Sequence, residues 1–382
     1  MFMQSAIKKW SALATDLEFA AGALIDAYDL MFDKDDQTRT KEEQRGINIQ
    51  SLLAAQRHLK CLREVDKVFS IQSLTGQNVQ RLLTLDYSKP VEWTFSMAVK
   101  AYVETSEDIE ILCEAMSHDP ARPYPSWCPD WTVPRTRSQL GGYPHESGYR
   151  ASGQVLARAS FSKDLKTITL NGIIFVDTIK DTQMQKTAEE FKWEHCESGL
   201  KCNWNPVTTA DDLAILKERL SASKLGVRSG SLETTYREEL LVTMVGGLIS
   251  VDGTIRRLDV EWFEKQIPKH NLLNKPPSLD LVPEIDSMWP RNRENYFRDV
   301  RDRTWGRTIL RSSKGLLGLG PREIREGDCI YIIEGCSVPI ILRKNQDKSY
   351  AWIGDAYIHN MMDWPNIARW GYSEHVDEIM IR

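Results

Sequence analysis

The sequence predicts an α+β protein in which an N-terminal helical layer packs on an antiparallel, β-barrel-like sheet with a helical insertion. Three observations carry that expectation. Apolar residues in the first third recur at intervals of three and four, the spacing that lines one face of an amphipathic helix. Beyond about residue 148 the pattern changes to short β-branched and aromatic runs divided by glycine, proline and charged turns. Helical spacing then returns between two such groups of strands. Neither group alone can bury a face from water, so the two should share one sheet.

The elements follow in order. Residues 8–31 place Trp10, Leu13, Leu17, Ala20, Ala21, Leu24, Tyr28 and Met31 on one helical stripe, and the charged run at 33–46 reads as a solvated loop. Helical spacing resumes over 47–62. The segment REVDKVFSIQSLTG gives a short helix stopped at Gly76 in a left-handed conformation, and 90–116 reads as one further long helix. YPSWCPDW, residues 124–131, is a proline-stiffened segment whose two tryptophans project from a non-helical backbone. From 148 onward two alternating runs split by SKDLK form a hairpin that continues into a third strand. Residues 208–265, including YREELLVTMVGGL, return to helical spacing, and the proline-rich 268–290 stretch is a long loop. The final section is mostly strand again: TILRSSKGLLGLGP, then DCIYIIEG, then VPIILRKN, then SYAWIGDAYIHNMM. The expected organisation is a helical region at 1–123, a Trp/Pro-rich strap at 124–147, a β-rich domain from 148–185 and 305–382, and an insertion at 186–304.

Composition narrows the function classes. The chain has 382 residues, 41% apolar, and a net charge of -5 with its basic residues scattered. That balance argues against electrostatic capture of nucleic acid or an anionic membrane. No secretory leader pattern opens the sequence and no uninterrupted apolar run of about 18 residues occurs, so the expectation is a soluble, cytoplasmic chain. Seven cysteines, an odd and dispersed set, read as reduced thiols. His195, Cys196 and Cys202 cluster locally but lack the second ligand pair that a tetrahedral site needs, so no metal is expected.

Familiar catalytic signatures are absent. GLLGLGP is followed by a strand rather than a helix N-terminus, so Gly315, Gly318 and Gly320 are expected to serve a tight corner with positive φ rather than a phosphate. REGD at 325–328 is the turn that opens the next strand. His359 stands at a strand end beside Tyr357, Asn360 and Met361. Twelve tryptophans are the unusual quantity, many in segments without helical periodicity, where an indole can build core or line an apolar pocket.

Taken in order, several motifs resemble one family. REVDKVFSIQSL, DYSKPVEWTF, YPSWCPDW, YREELLVTMVGGL, GLLGLGPREIREGD, VPIILR and GDAYIHNMMD are similar to successive landmarks in the region that follows the signature domain of fungal heterokaryon-incompatibility (HET) proteins. The resemblance runs from about residue 60 to 363, and the signature domain to which death signalling is attributed has no counterpart. The chain departs from the family pattern at Asn360, where glycine is usual, and at Trp364 and Pro365 in place of Gly-Glu. In that frame the strap joins the helical part to the barrel, with Trp127 and Asp130 structural and Trp131 reaching a pocket.

The chain also looks like the stand-alone, HET-related proteins of fungal tropolone sesquiterpenoid pathways, regarded as hetero-Diels-Alder cyclases. That resemblance implies an enzyme without cofactor that joins a tropolone quinone methide to an apolar, humulene-like sesquiterpene. Arg343 ends the VPIILR strand, and Tyr357 and His359 end the next, so adjacent antiparallel pairing would bring them to one rim. There Arg343 would steady the tropolonate oxygen, and Tyr357 or His359 would assist water loss. Trp131, Trp352, Met361, Met362 and Trp364 would bind the terpene. Partners are then small apolar and tropolone-like molecules, with homo-oligomerisation left open. The alternative is a non-enzymatic interaction or regulatory protein that meets its partner through the helical part or the loops at 33–46 and 268–290.

Overall fold

A computed structural model describes residues 49–57, 59–116, 123–141, 148–183, 239, 242–251, 254–258, 299, 303–364 and 375–382. The helix expected at 8–31, the loops at 33–46 and 268–290, and the His195, Cys196 and Cys202 cluster lie outside those residues. The described residues form a mixed α/β arrangement dominated by one large sheet.

Eleven described strands occur: β1 Ala159–Phe161, β2 Ile168–Gln183, β3 Leu248–Val251, β4 Thr254–Arg257, β5 Arg307–Ser312, β6 Leu317–Pro321, β7 Cys329–Ile333, β8 Ile340–Lys344, β9 Tyr350–Asp355, β10 Tyr357–Ile358 and β11 His375–Ile381. Nine of them share a sheet, while β3 and β4 form a separate hairpin. Strand β2 organises the sheet. Its first half pairs with β1 and β11, its middle with β7, and its last residues with β5. The pairing of β7 with β8, β8 with β9, and β9 in parallel with β11 leads back to β2, so these five strands close into a ring. The two groups of strands expected to share a sheet therefore do so. The third strand expected after the first hairpin is instead the continuation of β2, whose register shifts between Phe175 and Asp177 and again between Ile179 and Asp181. Each such bulge bends a strand and lets one run serve two sets of neighbours.

The unbroken apolar runs of β7 and β8 follow from burial on both faces. Ile330, Ile332 and Ile341 enter one cluster with Ile174, Val176, Leu310, Ile358 and Met361. Tyr331, Ile333, Ile340 and Leu342, which alternate with them, enter a larger cluster with Ile168, Leu170, Trp352 and Ile381. A strand covered on both sides has no reason to alternate apolar with polar residues. The interior of this region is thus filled by its own side chains.

Glycine supports the close packing of β6. A Cβ on Gly318 would lie 2.4 Å from the Tyr357 carbonyl oxygen, and one on Gly320 would lie 2.9 Å from Ile341 Cδ1. Only Gly315 of the three takes the expected positive φ, at 89°; Gly318 and Gly320 are extended strand residues selected for approach rather than for backbone freedom. The REGD turn behaves as expected, with Gly327 at φ 87° and the Arg325 amide donating to Asp328 Oδ2 immediately before β7.

The helices before the sheet are shorter than expected. The spacing over 47–62 yields α1, Ile49–Gln56. REVDKVFSIQSLTG gives α2, Asp66–Phe69, and then a separate 3₁₀ turn, Gln72–Leu74. Gly76 is extended, with φ -63° and ψ 153°, and precedes α3, Gln77–Leu82, rather than ending a helix in a left-handed conformation. The long helix expected over 90–116 is α4, Val91–Ser106, stopped by Glu107 at φ 60° and followed by the 3₁₀ turn Glu110–Glu114. Phe95, Ala98, Val99 and Tyr102 of α4 enter the same large cluster as the sheet residues. Among the described residues, no helix is long and apolar enough to cross a membrane.

YPSWCPDW acts as a clamp. Trp127 and Trp131 are fully buried, the first edge-on to Phe161 and the second edge-on to Phe95. The Trp131 indole N–H donates to Glu114 Oε2 at 3.1 Å, and that carboxylate also pairs with Arg57. Asp130 Oδ1 accepts from the Thr132 amide and hydroxyl, closing a local turn. Ser126 Oγ accepts from the Trp352 amide of β9 and donates to the Arg382 carbonyl, bridging β9 to the residue after β11.

Candidate active site

Tyr357 and His359 are held at one end of β6. Tyr357 pairs with Leu319, and the His359 amide donates to the Leu317 carbonyl at 2.8 Å. These bonds bring the Tyr357 hydroxyl within 3.3 Å of His359 Nδ1. Asn360 follows at φ 65°. Glycine adopts that left-handed conformation freely and asparagine tolerates it better than most residues, so the turn forms here without glycine.

Three more polar residues border this pair. Tyr149 packs its ring 6.4 Å from that of Tyr357 and donates its hydroxyl to the Gly246 carbonyl. Arg257, at the end of β4, makes a two-pronged ion pair with Asp363. Gly246 and Gly247 open the β3–β4 hairpin at φ 60° and 75°. A Cβ on Gly247 would lie 3.1 Å from the Tyr357 hydroxyl, and one on Gly246 would lie 2.9 Å from that of Tyr149. The two glycines therefore leave the space that both hydroxyls occupy.

The electrostatics divide the roles. Burial holds the His359 imidazole below its ordinary value, so the ring is neutral at pH 7 and its Nδ1 can accept the Tyr357 hydroxyl proton. Burial raises both tyrosines, Tyr149 to about 12, while the Arg257 charge opposes the rise at each of them. The hydrogen bond that Arg257 donates to Asp363 raises Arg257 further and keeps it a permanent cation. The cluster thus combines a neutral imidazole, a phenolic proton and a fixed positive charge, which together can move a proton and favour a developing oxyanion.

The other residues expected at the site fall elsewhere. Arg343 does not join Tyr357 and His359 at one rim. It stands opposite Ala351 in β9 and directs its guanidinium to both Asp328 oxygens at 2.8 Å and to the Glu323 carbonyl. The strand that pairs with β8 is β9, whereas Tyr357 belongs to β10 and pairs with β6, and this separates the two groups. Trp131 and Trp352 are core residues, as are Met361 and Met362. Trp364 alone among the expected walls keeps a substantial exposed surface, 38%, with its ring over Gly153.

Arg257 was not legible as a site residue because 208–265 reads as helix, and Tyr149 and Asp363 join it only through the fold. In its described portion residues 242–244 are helical, as expected, while Leu248–Val251 and Thr254–Arg257 pair as the β3–β4 hairpin instead. The signal for it is the Asp252-Gly253 pair between LISV and TIRR, a turn dipeptide flanked by β-rich runs.

No curated protein and no solved structure matches this chain. One family model does, over a span whose described part contains β5 to β10 together with Arg343, Tyr357, His359 and Asp363. That model is described as the Het-6 beta-barrel domain and it matches residues 285–371, which makes this part of the chain HET-like.

Proposed function

We propose that the Tyr357, His359 and Arg257 cluster is the site of a cofactor-independent cyclisation. The reaction is the hetero-Diels-Alder joining of a tropolone quinone methide to an apolar, humulene-like sesquiterpene. The observation that carries this reading is the Tyr357 hydroxyl at 3.3 Å from His359 Nδ1, beside the Arg257–Asp363 ion pair. The choice of reaction rests on the sequence resemblance.

The chemistry uses only these side chains. Tyr357 gives its proton to the departing hydroxyl of a hydroxymethyl tropolone, the C–O bond breaks, and water leaves. The tropolone hydroxyl proton returns to the tyrosine through His359, which leaves the neutral quinone methide. One C–C and one C–O bond then form to an alkene of the terpene. Arg257, rather than Arg343, is the cation of this reading, because its charge acts on the Tyr357 hydroxyl and would favour a tropolone oxygen that gains electron density beside it. The exposed face of Trp364 offers apolar contact to the terpene. Incubating the purified chain with a hydroxymethyl tropolone and humulene tests this directly: an adduct equal in mass to both substrates less water is expected. The same uncatalysed mixture of stereoisomers with and without protein would overturn it.

A second reading is favoured by a different observation. Leu62, Leu85 and Tyr87 expose most or much of their surface near the short helices, at 98%, 56% and 53%. An interaction protein that binds another HET-related protein would use such residues. Under this reading, substitutions at Leu62 and Leu85 abolish partner capture while substitutions at Tyr357 leave it unchanged.

A further inference from the structure

Two buried thiols and a buried carboxylate meet outside the tyrosine and histidine cluster. The 3₁₀ turn Glu110–Glu114 has three residues per turn, which sets Glu110 and Cys113 on the same side of it. The Ile109 amide donates to the Gly335 carbonyl at 3.0 Å and docks this turn against the link between β7 and β8, which carries Cys336. Glu110 Oε2, Cys113 Sγ and Cys336 Sγ then lie within 4.8 Å of one another, and all three residues are buried.

We propose that Glu110, Cys113 and Cys336 supply three of the four ligands of a soft divalent metal ion of the zinc class. The two sulfurs are 3.8 Å apart. A tetrahedral ion with metal–sulfur bonds of about 2.3 Å requires its sulfurs about 3.8 Å from each other, whereas a disulfide requires about 2.05 Å. Glu110 Oε2 stands 4.0 Å from Cys113 Sγ and supplies the oxygen ligand. Its other oxygen accepts the Ser337 amide, which orients the carboxylate as the supporting bonds of metal ligands do. Gly141 closes the cluster, since a Cβ there would lie 2.8 Å from Cys113 Sγ and 3.0 Å from Glu110 Oε2. Among the described residues, the buried Ser337 hydroxyl one position beyond Cys336 has no hydrogen-bond partner.

Charge balance permits the exchange. Each thiol releases one proton to solvent as the ion enters, so two protons leave for one divalent cation and the buried net charge is unchanged. The site does not depend on the cyclase reading, because none of its residues touches Tyr357 or His359 in the hydrogen bonds above.

The test uses the full chain, expressed in zinc-supplemented medium and purified without chelator. About one zinc per chain by mass spectrometry of the elements is expected, as is a thiolate-to-cobalt absorption band when cobalt replaces zinc. Cys113→Ser, Cys336→Ser and Glu110→Gln should each lose most of the metal. Because a buried variant can fail to fold, wild-type protein is also melted with and without a strong chelator, and a lower Tm with chelator is expected. Metal-free wild type without a cobalt band overturns the proposal. So does a Cys113–Cys336 disulfide in the purified protein, or a band that persists in both cysteine variants.

Discussion

Arg307 Nη2 lies 2.8 Å from Asp355 Oδ2, and both side chains are completely buried. Arg137 approaches the other oxygen, Oδ1, at 3.3 Å, and the Leu140 amide donates to Oδ2 at 2.7 Å. Asp355 ends β9, Arg307 begins β5, and Arg137 comes from within the strap, so one carboxylate ties three separate parts of the chain together. Removing one partner of a buried pair leaves the other uncompensated. Asp355→Ala is therefore expected to cost about 3–5 kcal/mol in urea unfolding, whereas Arg343→Ala, which breaks a partly exposed pair with Asp328, should cost less.

The same carboxylate sets an acid limit. Burial alone would raise its pKa, but Arg307 and Arg137 outweigh burial and hold it below the ordinary carboxylate range. A depressed folded-state value means that the contribution is fully present above the unfolded value of about 3.9. It is lost as pH falls through the folded value. Urea midpoints measured across the acid range should fall more steeply for the wild type than for Asp355→Asn, which cannot titrate.

Gly318→Ala tests the close approach of β6 and β10. The added methyl meets the Tyr357 carbonyl oxygen, a backbone atom that cannot rotate away. Overpacking of this kind costs about 1–3 kcal/mol, and it should displace Tyr357 from His359, visible as a changed histidine ring signal by NMR.

Trp131→Phe keeps the ring contact with Phe95 but removes the indole donor to Glu114. The buried carboxylate then loses one of its partners, and about 1–3 kcal/mol of stability should go with it. Equal stability of the two proteins in chemical denaturation would show that the hydrogen bond is replaced.

His359 gives the pH dependence of the site. Its folded value is depressed by burial, so the neutral ring is stabilised above the unfolded value of about 6.5. The contribution fades as pH falls toward the folded value. The rate should therefore be flat near neutrality and decline only on the acid side, and His359→Gln should remove that decline.

How much was legible follows from range of interaction. The strands from 307 to 358 were readable because each is short, β-rich and bounded by its own turn, as in REGD before β7. The sharing of one sheet by β2 and the later strands followed from strand number alone. Helix ends were less legible: nothing local marks Glu107 as the left-handed stop of α4, a position where glycine is the usual signal. Arg343 was misplaced because β8 pairs with β9 and not with the short strand carrying Tyr357, a distinction made by the break at Ala356. Arg257 was hidden because its segment shows helical spacing.

The rate of adduct formation by Tyr357→Phe, in protein shown by circular dichroism to retain its fold, tests the proposed site most directly. General acid catalysis contributes about 10²- to 10⁴-fold, so a loss of at least about 100-fold is expected. An unchanged rate and stereochemistry would contradict the assignment of chemistry to the Tyr357 and His359 cluster.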